Sequence, residues 1–582
     1  MVLMKCCGNS RGSWFGLGTI ALVLLCWIST GIFQREILNG NGLPQLWKFL
    51  SASVHPVLSW ELLKITWDAA IVTLAYAVCG TFLTVVIGAI AGVLCSEVWW
   101  YSWQFRAGSR QGHASQYSDV PFTIARLLLS IPRAIHELIW GLFLLNIWGL
   151  DPLVAVVAIA IPFGAMTAKV FSEILDDTPR DKLQALLSSG VSPLSACFYS
   201  LFPQAFLNLL SYTFYRFECA LRSAAVLGII GAGGLGYQIL LSLQSLKYRE
   251  LWTFFYALLI LNGVVDWASA SLRHQLGCTS RLDLASQSQL AIRHPTQVPN
   301  SSKKRSLPWL LPIALLITIF SFWYINPDYG KLLSPRSQFL FQQFMTALWP
   351  PDAQLLFPKN WFAFSSVRWQ DSLIAQSWDT IAMAVVGMTI AAIGGLGLAF
   401  PAARNFFLPG GLLNQRSGHL WIAWSLVILS RGLLLLSRAI PAPIWALVVL
   451  YVMFPGILPG AIALGIHNLG ILGRLMAEVI ENLDQRPLQA LRTTGAKAIP
   501  VFFYGVLPLV LPRFLAYSFY RWEICMRETV IVGLVGAGGL GRSLTEQLSS
   551  LDYRALGVTL AVFLVLTFAV DWFSGIARRQ VR

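Results

Sequence analysis

Long apolar stretches, separated by short polar and basic segments, follow one another along the whole chain. A helix that crosses a bilayer core about 30 Å thick needs about 20 apolar residues. Twelve stretches reach that length, at residues 14–33, 68–96, 120–147, 151–173, 199–230, 251–272, 307–325, 377–402, 420–449, 452–479, 502–535 and 556–577. The pattern predicts an all-α integral membrane protein with about twelve transmembrane helices.

The composition excludes an ordinary soluble protein. Of 582 residues, 56% are hydrophobic and 12% are charged, whereas a soluble domain has about 25% charged residues. The net charge is +15, but the basic residues lie at the ends of apolar stretches and in loops, which is typical of membrane proteins. We therefore expect the lipid bilayer, and not a nucleic acid, to cover the surface.

The basic residues also predict an orientation. Lys5 and Arg11 precede the first stretch, and the segments after the second, fourth and sixth stretches of each half are basic as well. All of these lie on one side of the membrane if the N-terminus is inside, and basic loops are retained in the cytoplasm. We expect a multi-pass protein of the cytoplasmic (inner) membrane with both termini cytoplasmic.

The two halves of the chain are copies of each other. They align at an offset of 305 residues without a gap, and the matched pairs include Arg133 and Arg438, Trp140 and Trp445, and Pro203 and Pro508. We predict a first repeat at 1–277, a polar cytoplasmic linker at 278–305 and a second repeat at 306–582. Because six spans is an even number, both copies enter and leave on the same side, so the repeats are parallel.

A short segment after the fourth stretch is shared closely by both repeats. It reads Leu-Gln-Ala-Leu at 183–186 and at 488–491, followed in each copy by a glycine at the same distance. The segment resembles the coupling motif of ABC importer permeases, although Gln replaces the usual Glu, and Ser200 and Gly505 occupy a slot that is usually hydrophobic. The resemblance implies that an ATPase contacts Gln184, Ala185, Leu186, Gly190, Gln489, Ala490, Leu491 and Gly495.

Further motifs follow in the fifth stretch of each repeat. They read Tyr-Thr-Phe-Tyr-Arg-Phe-Glu at 212–218 and Tyr-Ser-Phe-Tyr-Arg-Trp-Glu at 517–523, and both lead into Gly-Ala-Gly-Gly-Leu-Gly. With the coupling motif, they resemble the phosphonate branch of ABC importer permeases over about 65–275 and 375–578. The resemblance implies import of phosphonate, phosphite or phosphate, two ATP-binding cassette subunits on the cytoplasmic side, and an extracytoplasmic solute-binding protein.

Charged residues recur inside the fifth stretch at Arg216, Glu218, Arg222, Arg521, Glu523 and Arg527. Charges at membrane depth are costly and usually face the interior of a bundle or a cavity. Each Glu stands four residues before an Arg, so the spacing predicts that these two neutralise each other along the helix. One arginine per repeat then remains, and its guanidinium fork suits phosphorus oxyanions. These groups either line a translocation pathway or form interhelical ion pairs that fix the packing.

The repeats have also diverged. Glu528 has Ser223 as its counterpart, which predicts an asymmetric pathway, whereas His136 and Glu137 have Pro441 and Ala442 as theirs, so we expect a local role for that pair.

No catalytic or nucleotide-binding motif is evident. The Gly-Ala-Gly-Gly-Leu-Gly segment matches G-x-G-x-x-G, but it follows a membrane stretch and not a β-strand, so it predicts a bend with close backbone packing. The sequence has no GxxxxGK[ST] phosphate loop. We expect no cofactor, no enzyme activity in this chain, and ATP hydrolysis by a partner. The alternative is an ion-coupled secondary transporter of a small anion, which would need no ATPase.

Overall fold

The computed structural model describes residues 10–32, 40, 42–106, 120–276, 307–332, 334–348, 372–407, 420–450, 452–484 and 486–581. In the first half the helices are α1 (Ser10–Ser29), α2 (Gly42–Ala52), α3 (Trp60–Leu94), α4 (Glu97–Arg106), α5 (Val120–Ala134), α6 (Glu137–Trp148), α7 (Pro152–Asp176), α8 (Asp181–Ser188), α9 (Pro193–Ala196), α10 (Phe202–Leu227), α11 (Gly234–Gln244) and α12 (Tyr248–Leu276).

In the second half the helices are α13 (Leu307–Ile325), α14 (Tyr329–Leu332), α15 (Pro335–Leu348), α16 (Leu373–Ala402), α17 (Arg404–Phe407), α18 (Leu420–Ala439), α19 (Ala442–Leu450), α20 (Ile457–Glu481), α21 (Arg486–Thr493), α22 (Ala498–Pro500), α23 (Leu507–Val532), α24 (Gly539–Ser549) and α25 (Tyr553–Val581). Short π-helical turns at 197–201 and 501–506 join α9 to α10 and α22 to α23.

The predicted all-α membrane class is confirmed. Within the described residues, eight helices are long and apolar enough to cross a membrane, and the count rises to ten if each of two bent helix pairs is one span. The bent pairs are α5 with α6, at 81°, and α9–α10 with α11, at 57°. Two shorter apolar helices, Gly18–Ser29 and Pro312–Ile325, fall at the first predicted stretch of each repeat.

The first helix of each repeat packs with the other repeat. The described residues form two compact units, one from 56–340 and the other from 1–55 and 341–582. In the second of these, α1 packs against α16, and in the first, α13 packs against α3, where the rings of Phe82 and Phe322 meet edge to face at 6.4 Å. The predicted repeat boundaries concern the duplicated sequence and stay a prediction, and the predicted linker at 278–305 lies outside the described residues.

Small residues bring the second and fourth spans of each repeat together. On α3, a Cβ added to Gly88 would lie 2.5 Å from Thr167 of α7, and on α16, one added to Gly395 would lie 3.2 Å from the backbone nitrogen of Gly473 of α20. Helices in membranes associate through such small residues because backbones can then approach closely. The pairs α3–α7 and α16–α20 therefore form the centre of each unit.

The glycine-rich segments are bends with close backbone packing, as predicted. Gly231 and Gly536 have φ of +96° and +104°, a conformation that glycine adopts without steric cost. A Cβ on Gly236 would lie 1.8 Å from the carbonyl oxygen of Ala225. Thr73 accepts a hydrogen bond from the backbone N–H of Leu235 at 2.9 Å, and Thr380 accepts the same bond from Leu540 at 2.9 Å.

These matched threonines correct one detail of the repeat. Thr73 and Thr380 are 307 positions apart in the sequence, whereas the glycine bends that they hold match at an offset of 305. The gap-free alignment therefore does not extend into the second span, which is shifted by two residues between the copies.

Candidate coupling segments and buried charge clusters

The two predicted coupling segments, 183–190 and 488–495, lie largely in two helices of the same length, α8 and α21. In each helix the Gln-Ala pair is exposed, whereas the leucine before it, Leu183 or Leu488, is buried at 0% or 1% exposure. Leu183 lies in one buried apolar cluster with Phe171 and Leu175 at the end of α7 and with Leu201 before α10. Each segment is thus fixed to the transmembrane helices through leucines while its polar face stays accessible.

Glycine ends both coupling segments in the same way. Gly190 and Gly495 have φ of +82° and +84°. In the first, the N–H of Val191 donates to the carbonyl of Leu186 at 3.2 Å, and in the second, the N–H of Ala496 donates to that of Leu491 at 3.3 Å. This is the helix termination that glycine favours, because the residue after the cap is left-handed. The backbone of the predicted motif is therefore the same in both repeats.

The structure explains why Ser200 and Gly505 stand at the position of the motif that is usually hydrophobic. A Cβ on Gly505 would lie 2.6 Å from Leu488 Cδ2 and 3.0 Å from Leu491 Cδ1. In the first repeat, Ser200 is buried and donates its hydroxyl to the carbonyl of Ala196 at 2.6 Å. Only a small residue fits where the coupling helix packs this closely.

Arg521 belongs to a buried cluster of three polar side chains. Its Nε donates to Asn468 Oδ1 at 2.5 Å, and its Nη2 donates to Glu528 Oε1 at 2.7 Å. Asn468 Nδ2 in turn donates to Glu528 Oε2 at 2.8 Å. All three are buried, with exposures of 9%, 0% and 8%. Charges in an apolar interior need this degree of mutual satisfaction, so the cluster fixes α20 against α23.

The matching arginine of the first repeat has different neighbours. Arg216 donates from Nε to the Tyr212 hydroxyl at 2.9 Å, and its guanidinium lies 5.1 Å from the ring centres of Phe163 and Tyr212 and 5.7 Å from that of Tyr215. Phe163 stands where the second repeat has Asn468. Aromatic faces stabilise a cation through their quadrupole. Aromatic rings of α7 and α10 therefore stabilise the guanidinium of Arg216 by cation–π contacts.

The first repeat carries a carboxylate on a different helix. Glu137, at the bend between α5 and α6, accepts a hydrogen bond from Ser223 at 2.6 Å, and His136 Nδ1 lies 3.1 Å from its other oxygen. Ser223 matches Glu528, and Glu137 matches Ala442. The position that carries Glu528 in the second repeat therefore carries, in the first, a serine that donates to a carboxylate of α6.

The glutamates of the repeated motif form ion pairs with the last helix of their repeat. Glu218 pairs with Arg273 at 3.1 Å and accepts a bond from Ser269 at 2.6 Å, and Glu523 pairs with Arg578.

In the second repeat, the arginine that follows this glutamate differs from the prediction. Arg527 pairs with Asp571 at 3.0 Å, so in the second repeat the predicted pairing along α23 is wrong, because partners on α25 take both charges. Arg222 donates from Nε to the backbone carbonyl of Glu218 at 3.3 Å.

One repeated ion pair was missed by the sequence analysis. Arg126 pairs with Asp176 at 2.9 Å and donates to the carbonyl of Cys95, and Arg431 pairs with Glu481 and donates to the carbonyl of Ala402. Each pair joins the ends of the second, third and fourth spans directly before a coupling segment. An arginine and an acid at matching positions of both repeats were the available signal.

No group of three or more His, Cys, Asp or Glu side chains that could hold a metal ion occurs among the residues that the structure describes.

Comparison with known proteins identifies the family. Residues 85–272 and 418–582 each match the family described as the binding-protein-dependent transport system inner membrane component. The chain is 27% identical over 461 residues to the phosphate-import permease protein PhnE of Mycolicibacterium smegmatis, covering 79% of this chain and 78% of that protein.

Two shorter relatives match parts of the chain. It is 36% identical over 204 residues to the phosphite transport system permease protein PtxC of Stutzerimonas stutzeri, covering 35% of this chain and 69% of that protein. It is 35% identical over 119 residues to the putative cryptic phosphonate transport system permease protein PhnE2 of Escherichia coli, covering 20% and 98%. The chain therefore belongs to the inner membrane components of binding-protein-dependent transport systems and carries the family's domain twice.

Proposed function

We propose that this chain is the permease of an ATP-driven importer that carries a phosphorus oxyanion, namely phosphonate, phosphite or phosphate, across the cytoplasmic membrane. The observation that carries the proposal is the match to relatives named as phosphate, phosphite and phosphonate permeases, one of which aligns over 79% of this chain. Both termini are cytoplasmic in this proposal, and an extracytoplasmic solute-binding protein delivers the anion.

Two ATP-binding cassette subunits bind the coupling segments from the cytoplasm, one at each. The exposed faces of α8 and α21, with Gln184, Ala185, Gln489 and Ala490, support this assignment because they are alike and accessible. Buried leucines and the glycine cap let each short helix move as a rigid body with the spans to which it is fixed. The chain itself hydrolyses no ATP.

Arg216 and Arg521 are our candidates for residues that attract the anion on its path. Their position at matching points of both repeats and the fit of a guanidinium to phosphorus oxyanions support this role. The interhelical ion pairs of Glu218, Glu523 and Arg527 favour the packing role for those three, and a pathway role for them and for Arg222 stays a prediction.

Uptake into proteoliposomes tests the transport assignment. The chain is reconstituted with the ATPase and binding protein of its transport system, and uptake of labelled phosphite, phosphate and methylphosphonate is measured. We expect uptake of at least one of them that needs ATP inside and the ATPase subunit. Uptake that is driven by an ion gradient without the ATPase would instead establish an ion-coupled secondary transporter.

Bulky substitutions test the coupling segments. Ala185→Trp with Ala490→Trp should abolish retention of the ATPase on the purified chain, because the indole rings would project from the docking face. Ile393→Trp, at a side chain of α16 that is 69% exposed, is the matched control and should retain it. Retention by the double variant would exclude α8 and α21 as docking sites.

Loss of both arginines tests the pathway role. We expect Arg216→Ala with Arg521→Ala to reduce uptake at least tenfold at matched membrane expression, and Lys at both positions to restore part of it because the charge returns. Unchanged uptake in the alanine variant would end the pathway role.

A further inference from the structure

One carboxylate in each repeat joins the ends of three spans, directly before the coupling segment. In the first repeat this is Asp176, the last residue of α7, and its Oδ2 accepts from Arg126 of α5 at 2.9 Å. Its Oδ1 accepts from the Ser96 hydroxyl at 2.7 Å and from the backbone N–H of Val98 in α4 at 3.2 Å. Arg126 also donates from Nε to the carbonyl of Cys95, directly after α3, at 3.0 Å. We call Arg126 and Asp176 the clamp of the first repeat.

The second repeat has a clamp of the same arrangement. Glu481 ends α20, pairs with Arg431 of α18, and accepts from the backbone N–H of Arg404 in α17 at 2.8 Å. Arg431 donates from Nε to the carbonyl of Ala402, the last residue of α16, at 2.8 Å. A cation is favourable at the C-terminal end of a helix, because the last carbonyls carry partial negative charge. Arg431 and Glu481 therefore hold α16, α18 and α20 together at one end.

Both clamps persist although the sequence around them has diverged. The arginines and the acids match at the offset of 305, but the carbonyls that accept from the arginines belong to Cys95 and Ala402, which are 307 positions apart. The acid is an aspartate in one repeat and a glutamate in the other. The contact is therefore retained across the two-residue shift of the second span, whereas the partners of Arg216 and Arg521 are not retained. This contrast indicates a requirement that both repeats share.

Each clamp is connected to the coupling segment of its own repeat through the short helix after the second span. In the first repeat, Val98 of α4 lies in the same buried apolar cluster as Leu183 and Leu187 of α8. In the second, the ring centre of Phe406 of α17 lies 5.9 Å from that of Phe502, in the π-helical turn after the coupling segment. A displacement of the coupling helix can therefore reach the clamp through packed side chains.

The third span of the first repeat depends on its clamp. Residues 122–133 of α5 are all at least partly exposed, and Leu127 and Leu128 are 68% and 64% exposed, so apolar packing within the unit holds this end of the span weakly. At its other end, α5 leads into the bend at which Glu137 accepts from Ser223. A span that an ion pair holds at one end and that reaches the buried polar centre at the other is suited to carry a displacement between them.

We propose that the four clamp residues are positioning residues for coupling, and that they transmit the movement of each coupling helix to the second and third spans of the same repeat. The inference rests on the proposed function, because it requires ATPase subunits that move α8 and α21. The Arg126 side chain is 43% exposed, and ion pairs at such exposure contribute little to folding stability. Loss of the clamps should therefore affect coupling more than folding.

Neutral side chains of matching size test the clamps. Asp176→Asn with Glu481→Gln removes the charge of both acids. In proteoliposomes that contain the ATPase and the binding protein, we expect ATP hydrolysis to continue while uptake per ATP hydrolysed falls at least tenfold, because the spans no longer follow the coupling helices. Arg126→Gln with Arg431→Gln removes the other partner of each pair and should give the same fall. Both variants should melt close to the wild-type temperature.

The matched control lies three residues earlier on the same two helices. Glu173 pairs with Lys169 at 3.8 Å on α7, and Glu478 pairs with Arg474 at 2.8 Å on α20, so neither of these ion pairs joins two helices. Glu173→Gln with Glu478→Gln should leave uptake per ATP hydrolysed unchanged. An equal fall in this control would show that any acid near this end of the helices has the effect, against a specific role of the clamps.

The remaining outcomes are distinguishable. An unchanged ratio of uptake to ATP hydrolysis in the acid variant or in the arginine variant would overturn the inference. Failure of both variants to accumulate in the membrane would overturn it too, because the clamps would then serve folding. ATP-driven uptake by the wild-type chain upholds the proposed function in either case. If the wild-type chain shows no such uptake, the proposed function fails and the inference fails with it.

Discussion

Arg216 and Arg521 occupy the same position in two copies of one domain, yet the copies hold them differently. The second repeat surrounds its arginine with Asn468 and Glu528, whereas the first stacks it on aromatic rings and a tyrosine hydroxyl. The coupling segments, in contrast, have the same length, cap and buried leucine in both repeats. The backbone of the coupling segments is therefore alike in the two repeats, whereas the buried polar centres have diverged.

The buried carboxylates of the two repeats also lie on different helices. The second repeat places its carboxylate on α23, and the first places one on α6, where Ser223 of α10 donates to it. A buried charge is tolerated when its partners are complete, and different helices can supply the same group. We therefore expect the two centres to respond differently to substitution while the two coupling segments respond alike.

The largest effect is expected from Glu528→Ala. It leaves Arg521 in the bundle interior without its carboxylate, and breaking a buried pair in this way costs about 3–5 kcal/mol. Thermal unfolding of the purified chain in detergent measures the loss. Glu546→Ala is the control, because Glu546 pairs with Arg542 at an exposed site and such pairs contribute at most about 1 kcal/mol. Equal melting temperatures for the two variants would refute the buried cluster.

A smaller effect is expected from Tyr212→Phe in the first repeat. The change removes the hydroxyl that accepts from Arg216 but keeps the ring, and a hydrogen bond to a charged group contributes about 1.5–3 kcal/mol. Thermal unfolding again measures it, with Tyr199→Phe, at an 81% exposed ring, as the control. A loss as large as that of Glu528→Ala would mean that the two centres are held with equal strength, against the comparison drawn above.

The glycine caps should respond alike. Gly190→Ala and Gly495→Ala each force a Cβ into a left-handed residue, which costs about 1–2 kcal/mol. We expect the two losses to agree within about 0.5 kcal/mol, a spread typical of independent surface sites. Gly397→Ala, at an open helical glycine, should instead leave stability unchanged or raise it. A clear difference between the two caps would show that the coupling segments have diverged as well.

The smallest effect tests the exchanged carboxylate directly. Ala442→Glu combined with Glu528→Ser places a glutamate and a serine in the second repeat where the first has Glu137 and Ser223. We expect it to recover about 1 kcal/mol relative to Glu528→Ser alone, the contribution of a typical hydrogen bond. Ala446→Glu with Glu528→Ser, at another buried alanine of α19, should lose further stability. If both double variants are equally unstable, the exchange has no energetic basis.

The sequence predicted the spans and the coupling helices well because both depend on local pattern. Hydrophobic length locates a membrane helix, and the Gly190 and Gly495 positions mark where a helix ends. The bends at Gly231 and Gly536 were predicted for the same reason.

The tertiary partners could not be predicted in this way. Spacing along α23 favoured Glu523 with Arg527, but Arg578 and Asp571 on α25 lie closer in the fold. Nothing in the local sequence indicates that α1 packs with the second repeat and α13 with the first. The hydrophobic pattern does not distinguish between apolar helices of similar length.

The side of the membrane on which the two coupling segments lie is the most direct test of the account. Single cysteines at Ser189 and Thr494, both exposed beside the glycine caps, are labelled with a membrane-impermeant maleimide in right-side-out and inside-out vesicles. We predict that both cysteines react in inside-out vesicles and that neither reacts in right-side-out vesicles. Labelling of the two positions from opposite sides would contradict parallel repeats and, with them, a permease driven by two cytoplasmic ATPase subunits.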